Sequence, residues 1–395
     1  MSHSYLGFNE NLLKSKGAYY TAKEIAGQPD LWLKTYSTVK SNKEKIQQFL
    51  NQCFTDVDLE IILTGAGTSA FIGDVLEGSF QKITGIRTRA IATTDIVTHA
   101  DQYFLPEKPI LLISFARSGN SPESVAAVDL ANQFCQKIYH LIITCNPDGA
   151  LAQKCCSDNC YVFLLPPESD DQSLAMTGSF TAMLLTGVLL SLIDRIDEQY
   201  EKVKHLSASA KKVIDGYLED LNIISEKPFD RAVFLGSGPL RGIACESHLK
   251  LQELSDGKVI CKYDSFLGFR HGPKAVISGS TLLTFLFSND NYTHQYEHDL
   301  VMAINDGNRG LVRIGIGENV SPEYDLDLVI SLNMNHSSFS EEFLGIVGVV
   351  PAQILGFLKS LNLGLEPDRP SVSGTITRVV EGVKIYPNTK HVFAG

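Results

Sequence analysis

Short, continuous apolar runs alternate along the chain with longer stretches whose apolar residues recur every three or four positions. In the first half the runs are IILTG (61–65), AIATT (90–94), ILLISF (110–115), HLIITC (140–145) and YVFLL (161–165). None of them alternates apolar with polar, which is the pattern of strands covered on both faces, and helical stretches lie between them. The pattern predicts parallel-sheet α/β architecture. It also repeats: LEIILTGAGTSAFIGDVLEGSF (59–80) lies 171 positions before DRAVFLGSGPLRGIACESHLKL (230–251). At the same offset, 109–121 falls on 280–292 and 140–146 falls on 311–317. The chain therefore reads as two tandem α/β domains, each a parallel sheet flanked by helices.

The remaining segments read differently. Residues 10–50 form a helical lead-in, with Thr21-Ala22-Lys23-Glu24 as a capping box and Pro29 as a break. Residues 195–228 are charged and helix-patterned and bridge the two copies. The apolar stretches 182–193 and 344–358 are shorter than the roughly 20 residues that span a bilayer, and read as buried helices. Beyond Asn362, Pro and Gly punctuate an extended tail. The expected division is a lead-in at 1–49, a first domain at 50–205, a second at 206–365 and a tail at 366–395.

Composition narrows the function classes. With 395 residues, 44% hydrophobic and 20% charged, the chain has the make-up of a globular protein of two domains. A net charge of −11 supplies no global positive field for nucleic acid or an anionic membrane. Residues 1–17 lack a basic segment followed by an apolar one, so the expected compartment is the cytoplasm and the expected cysteines are reduced. Cys155, Cys156 and Cys160 cluster without a histidine at metal-binding spacing, so they read as small hydrophobes rather than zinc ligands. No metal or cofactor is expected.

An anionic ligand would need local help, and one turn offers it. Ser118-Gly119-Asn120-Ser121 leaves the run PILLISF and precedes a helical pattern, placing hydroxyls and backbone N–H groups at a helix start. Ser124 adds a hydroxyl and Arg117 a positive charge. Gly65-Ala66-Gly67 brings Thr68 and Ser69 to the same carboxyl edge of the sheet. Gly-x-Gly after a strand is weak evidence alone, and Ala70 stands where a dinucleotide fingerprint has its third glycine. In the second copy the matching stretch, Phe287 to Asn291, has lost the glycine and gained an acid, so only the first copy is expected to hold an anion.

Proton chemistry points to the second copy. Glu246, Lys250 and Glu253 share one helical face, either as a solvated stripe or as an acid/base group. His271 sits between Arg270 and Gly272-Pro273 in a loop, where an imidazole is suited to acid/base work near neutral pH.

These motifs, GAGTS, ARSGNSPES, GSGPLRGIACESHLKLQEL and RHGPKA in this order, resemble the double SIS (sugar isomerase) proteins, including the isomerase half of glucosamine-6-phosphate synthase. The lead-in YTAKEIAGQPDLWLKTY and the tail LGLEPDRPSVSGTITRVVEGVKIYP are similar to the AgaS group of galactosamine-6-phosphate deaminase/isomerases. The resemblance implies Ser69, Ser118 and Ser121 as phosphate ligands, Glu253 as the base between C2 and C1, and His271 as the ring opener entering from a partner subunit. It places Glu246 and Lys250 on functional positions and implies at least a homodimer. It implies conversion of galactosamine 6-phosphate to tagatose 6-phosphate and ammonia, against a glucosamine-6-phosphate deaminase, a plain aldose–ketose isomerase or a sugar-phosphate-sensing regulator. The chain departs from the synthase at Arg117 (glutamine there), at Met176 (serine there) and near Gly374, where no lysine stands and Lys384 or Lys390 would have to serve.

Overall fold

Each half of the chain builds one five-stranded, entirely parallel sheet. The computed structural model describes residues 4–333, 338–380 and 382–389. The first sheet comprises β1 (Glu60–Thr64), β2 (Thr88–Ala90), β3 (Ile110–Ala116), β4 (Ile138–Thr144) and β5 (Cys160–Leu164), in spatial order β2-β1-β3-β4-β5. The second comprises β6 (Arg231–Leu235), β7 (Ile260–Asp264), β8 (Thr281–Leu286), β9 (Val312–Gly317) and β10 (Leu328–Ser331), in order β7-β6-β8-β9-β10. The two orders are the same path traced twice. Every residue of β1, β3, β4, β8 and β9 is buried, which explains apolar runs without alternation.

The helices that matter below are α1 (Tyr19–Ser41), α2 (Thr68–Thr84), α3 (Pro122–Phe134), α4 (Gly178–Ser191), α5 (Pro239–Leu254), α6 (Asn291–Asn305), α7 (Glu341–Gly348) and α8 (Val350–Asn362). In the first core Ile62, Leu112 and Ile142 of the sheet meet Ala127, Ala131 and Phe134 of α3. In the second, Val233, Leu283 and Phe285 meet Leu300 and Ile304 of α6.

The duplication is visible residue by residue at the first turn of each copy. Gly67 has φ 54 and ψ −128, and Gly238 has φ 53 and ψ −128. A Cβ at Gly65 would lie 2.5 Å from the Ser69 carbonyl carbon, and one at Gly236 would lie 2.2 Å from the Leu240 carbonyl oxygen. The offset of 171 holds for β1/β6 and β3/β8. At the fourth strands, β4 and β9, Leu111 pairs with Tyr139 and Leu282 with Val312, so the offset there is 173. An even slip leaves the same residues on each face of the sheet.

Several local expectations fail for tertiary reasons. The strand expected at 90–94 ends at Ala90, and Thr93 already opens a helix. Thr21 is not a cap, because α1 begins at Tyr19; the Thr21 hydroxyl donates to Asp368 Oδ1 at 2.8 Å instead. Pro29 does not break α1. The N–H it lacks would have served the Ile25 carbonyl, and Gln28 Nε2 donates to that oxygen at 3.2 Å while also reaching Gln353 Oε1 at 2.7 Å. Cys155 and Cys160 form a disulfide across the turn 156–159, with Cα atoms 5.5 Å apart, so these two are not unpaired thiols. Cys53, Cys135, Cys145 and Cys245 are buried and outside this disulfide, whereas Cys156 is exposed.

The stretch 344–358 belongs to a longer helical run, Glu341–Asn362, of 22 residues with mean hydropathy 1.7, long and apolar enough to cross a membrane. Its most apolar window is 94% buried inside the protein, so the fold already covers that surface. Part of the cover is α5: a Cβ at Gly356 would lie 2.8 Å from Leu254 Cδ1 and 3.2 Å from the Lys250 carbonyl oxygen. Gly178–Ser191 and Ile193–Gly216 reach the same apolarity only as a pair bent by 115°.

The chain gathers into two compact units that are interleaved along the sequence. One gathers the described parts of Met1–Leu33, Asp171–Gly178 and Glu201–Ile376; the other gathers those of Lys34–Asp170, Ser179–Tyr200 and Thr377–Gly395. The lead-in and the tail are thus each divided between the two.

The glycine geometry gives a paired stability prediction. Gly236→Ala, whose methyl would enter backbone, should lower unfolding free energy by about 3 kcal/mol. Gly78→Ala, in the exposed interior of α2 with no atom within 4 Å of the new carbon, should raise it by about 0.5–1 kcal/mol. Urea denaturation of the two variants checks both signs.

Candidate functional site

In the first sheet the order turns back between β1 and β3, so the loops leaving these two strands open a crevice at the carboxyl edge. Gly67 borders it, and a Cβ there would meet nothing within 4 Å. Thr68 and Ser69 at the start of α2 are buried, at 5% and 4% exposure. After β3 come Arg117, itself 6% exposed, and half-buried Ser118 and Ser121. Gly119, at φ +66, makes the sharp turn, and Ser121 Oγ donates to buried Ser124 Oγ at 2.6 Å.

The turn is braced from behind. Asn146 Nδ2 donates to the Ser118 carbonyl at 3.0 Å, and Leu151 N to the Gly119 carbonyl at 3.0 Å. Asn120 Oδ1 accepts from Ala150 N at 2.9 Å. That bond makes the Asn120 side-chain oxygen part of the brace. Arg117 Nη2 donates to the Arg378 carbonyl at 2.6 Å.

The second copy uses the equivalent crevice differently. Ser288, after β8, donates its hydroxyl to Glu341 Oε1 and its N–H to Glu297 Oε2, the latter at 2.9 Å. Glu341 Oε2 lies 3.5 Å from where a Cβ on Gly238 would stand. A carboxylate of the chain thus bridges the loops that remain open in the first copy. Burial, and then the charges of Glu297, Asp290 and Glu342, push the Glu341 carboxyl above its ordinary range against the Ser288 bond. The crevice is filled and acidic, as the lost glycine and gained acid suggest.

On α5 the Glu/Lys/Glu face is buried, not a solvated stripe. Lys250 Nζ lies 2.8 Å from Glu253 Oε2 and 3.3 Å from Glu246 Oε1. The side chains of Glu246 and Lys250 are 0% and 1% exposed, while Glu253 at 23% retains access. Burial alone would pull the Lys250 ammonium down; the carboxylates of Glu246 and Glu253 outweigh it and hold it above the ordinary lysine value. A permanently charged lysine clamped between two acids fixes the geometry of the one acid that a ligand can reach.

His271 follows the short helix Phe266–Phe269, which Ser265 caps by accepting from Gly268 N at 2.9 Å. The imidazole is exposed, and Gly272 at φ +114 turns the chain immediately after it. Among the described residues no group of three or more His, Cys, Asp or Glu is arranged to hold a metal ion.

Other residues were not foreseen as contributors. Glu24 accepts from Gln172 N at 2.6 Å and from the Ser173 hydroxyl, and Asp171 Oδ2 accepts from Thr177 N at 2.8 Å. Together they clasp the loop that carries Met176. Burial, then the Asp171 charge, pushes Glu24 up to about 8. His248 stacks 4.9 Å from Tyr263 with its pKa lowered, chiefly by burial. Local pattern did not give these contacts: Glu24 is spaced as a capping box yet its partners lie about 150 residues on, and the partner of Asp171 is a backbone N–H six residues along an irregular loop. Lys384 lies 4.9 Å over the Tyr386 ring, and Lys390 lies outside the described residues.

The SIS domain family matches residues 54–193. The D-galactosamine-6-phosphate deaminase AgaS of Shewanella sp. (strain ANA-3) is 41% identical over 382 residues, 96% of this chain and 94% of that protein. The D-galactosamine-6-phosphate deaminase AgaS of Escherichia coli is 40% identical over 374 residues, covering 93% and 96%. The crystal structure of tagatose-6-phosphate ketose/aldose isomerase from Escherichia coli superposes with a TM-score of 0.86 at 37% identity, covering 93% of this chain and 97% of that one. With the duplicated sheet, the serine-lined turn and the buried Glu–Lys–Glu group in place, this chain belongs to the AgaS family of SIS-domain proteins.

Proposed function

We propose that the protein converts D-galactosamine 6-phosphate and water to D-tagatose 6-phosphate and ammonia. The observation that carries this reading is the near-full-length identity of about 40% to D-galactosamine-6-phosphate deaminases, together with a partly accessible carboxylate held by a buried lysine. In this reading Ser118, Ser121 and Ser69 bind the phosphate, with Thr68, Arg117 and Ser124 completing the donor set. His271 opens the ring. Glu253 takes the proton from C2 while the aldehyde oxygen is protonated, giving an enolamine, and returns a proton to C1. The C2 iminium then adds water and loses ammonia, leaving the ketone. Lys250 and Glu246 fix the Glu253 carboxylate. The chemistry needs no redox change, since carbon is neither oxidised nor reduced overall. The reaction is assigned to the cytoplasm, where charged sugar phosphates are retained.

Ammonia release tests the reaction itself: galactosamine 6-phosphate should yield stoichiometric ammonia, with glucosamine 6-phosphate turned over more slowly. Isomerisation of tagatose 6-phosphate without ammonia chemistry would favour a plain aldose–ketose isomerase. Glu253→Gln keeps the side chain's shape and removes its basicity, so kcat should fall at least about 10²-fold. Solvent-proton exchange at C1 or C2 persisting at the wild-type rate in that variant would remove Glu253 from the role.

The double change Ser118→Ala and Ser121→Ala should raise KM at least as strongly as it lowers kcat, because phosphate binding stabilises ground and transition states alike. An unchanged KM would move the phosphate elsewhere.

We further infer a homodimer in which the exposed His271 serves the partner's site. His271→Ala and Glu253→Gln proteins, each nearly inactive, should regain activity on mixing and subunit exchange. Heterodimers that form and stay inactive would keep His271 in its own chain's site.

A further inference from the structure

Arg117 is the first residue beyond β3, so the sheet fixes its backbone, whereas its long side chain needs a partner to hold one position. At 6% exposure that partner must be polar. The structure supplies the carbonyl oxygen of Arg378, 2.6 Å from Arg117 Nη2. A carbonyl orients a guanidinium without cancelling its charge. The carbonyl belongs to a tail segment outside any regular element, so it is only as well placed as the anchors of that segment. One anchor is the Arg378 side chain, whose Nη2 donates to Asp170 Oδ1 at 2.7 Å. Asp170 follows the single turn Pro167–Ser169 beyond β5, which ties it back to the same sheet. A second is Gln133 Nε2 on α3, donating to the Asn388 carbonyl at 3.2 Å.

We propose that Arg378, held by Asp170, is a positioning residue for the anion turn: through its backbone carbonyl it sets the Arg117 guanidinium next to Ser118 and Ser121, and so tunes affinity for the substrate's phosphate. This rests on the reading of that turn as the phosphate site. The Asp170–Arg378 pair is partly exposed, 36% and 33%, so it contributes little to global stability. Its effect should appear in phosphate affinity.

The carbonyl itself cannot be substituted, so the test addresses its anchor. The dissociation constant for inorganic phosphate, from phosphorus NMR line broadening, and KM and kcat for galactosamine 6-phosphate are compared in Arg378→Ala, Asp170→Asn, their combination, Arg378→Lys and the Ser118→Ala/Ser121→Ala protein. Each single anchor variant should weaken phosphate binding and raise KM by about fivefold with kcat within about twofold. The combination should be no worse than either single change, because both cut one chain of contacts. Arg378→Lys, which keeps the ion pair, should recover most of the loss, and thermal melting should stay at the wild-type midpoint in all of them. Wild-type phosphate affinity in Arg378→Ala and Asp170→Asn, alongside weakened binding in the double-serine variant, would overturn the positioning role alone. Unchanged affinity in the double-serine variant as well would overturn the phosphate turn and this inference with it.

Discussion

A strand that runs directly into a helix lying back against its own sheet leaves no room for a side chain at the bend. Gly65 and Gly236 stand at that bend in the two copies, where a Cβ would penetrate the backbone four residues on. Gly67 and Gly238 then adopt a backbone conformation that L-residues avoid. These two positions seat α2 and α5 against their sheets. The crevice beside β3 and the buried face of α5 both follow from that seating. The Gly-x-Gly signature is therefore first a folding device, and its presence in a copy whose loops are bridged by the chain's own Glu341 carboxylate shows why it is a poor guide to ligands.

What the sequence revealed about the fold was carried by burial on two faces. Residues such as Ile61, Ile62 and Leu63 leave a continuous apolar trace because helices cover both sides, and that trace repeats. Local end-signals were less faithful. Thr21 and Glu24 form a well-spaced capping box, yet their partners are Asp368 and Ser173, hundreds or more than a hundred residues away, and these long-range bonds decide where α1 begins. Pro29 is tolerated for the same kind of reason, with the neighbouring Gln28 side chain supplying the missing donor.

The candidate site was legible in its residue types and not in its surroundings. Helical spacing alone put Glu246, Lys250 and Glu253 on one face, but only the packing of the fold around α5, α8 included, buries Glu246 and Lys250 while leaving Glu253 partly accessible. Gly356 permits the close approach, since any side chain there would strike Leu254 and the Lys250 backbone. Asn120 fits an anion turn by type, and that its Oδ1 accepts from Ala150 N, thirty residues on, left no trace in the local pattern. Arg117 was visible as a lone positive charge, while the carbonyl it donates to lies 261 positions away in the tail, beyond the reach of any local pattern.

The Glu341 carboxylate in the second crevice is in effect a tethered ligand. A group attached to the chain meets its binding position at an effective concentration of the order of millimolar or more, set by the tether rather than by the solution. Competition from free metabolite is correspondingly suppressed, and the negative lining from Glu297 and Asp290 suppresses it further. Duplication would otherwise have given each chain two equivalent places for an anion and an ambiguous stoichiometry. In the function proposed above, the self-occupied copy amounts to a division of labour: one sheet edge is left to the diffusing molecule, and the other copy contributes the Glu253 carboxylate on its own helix.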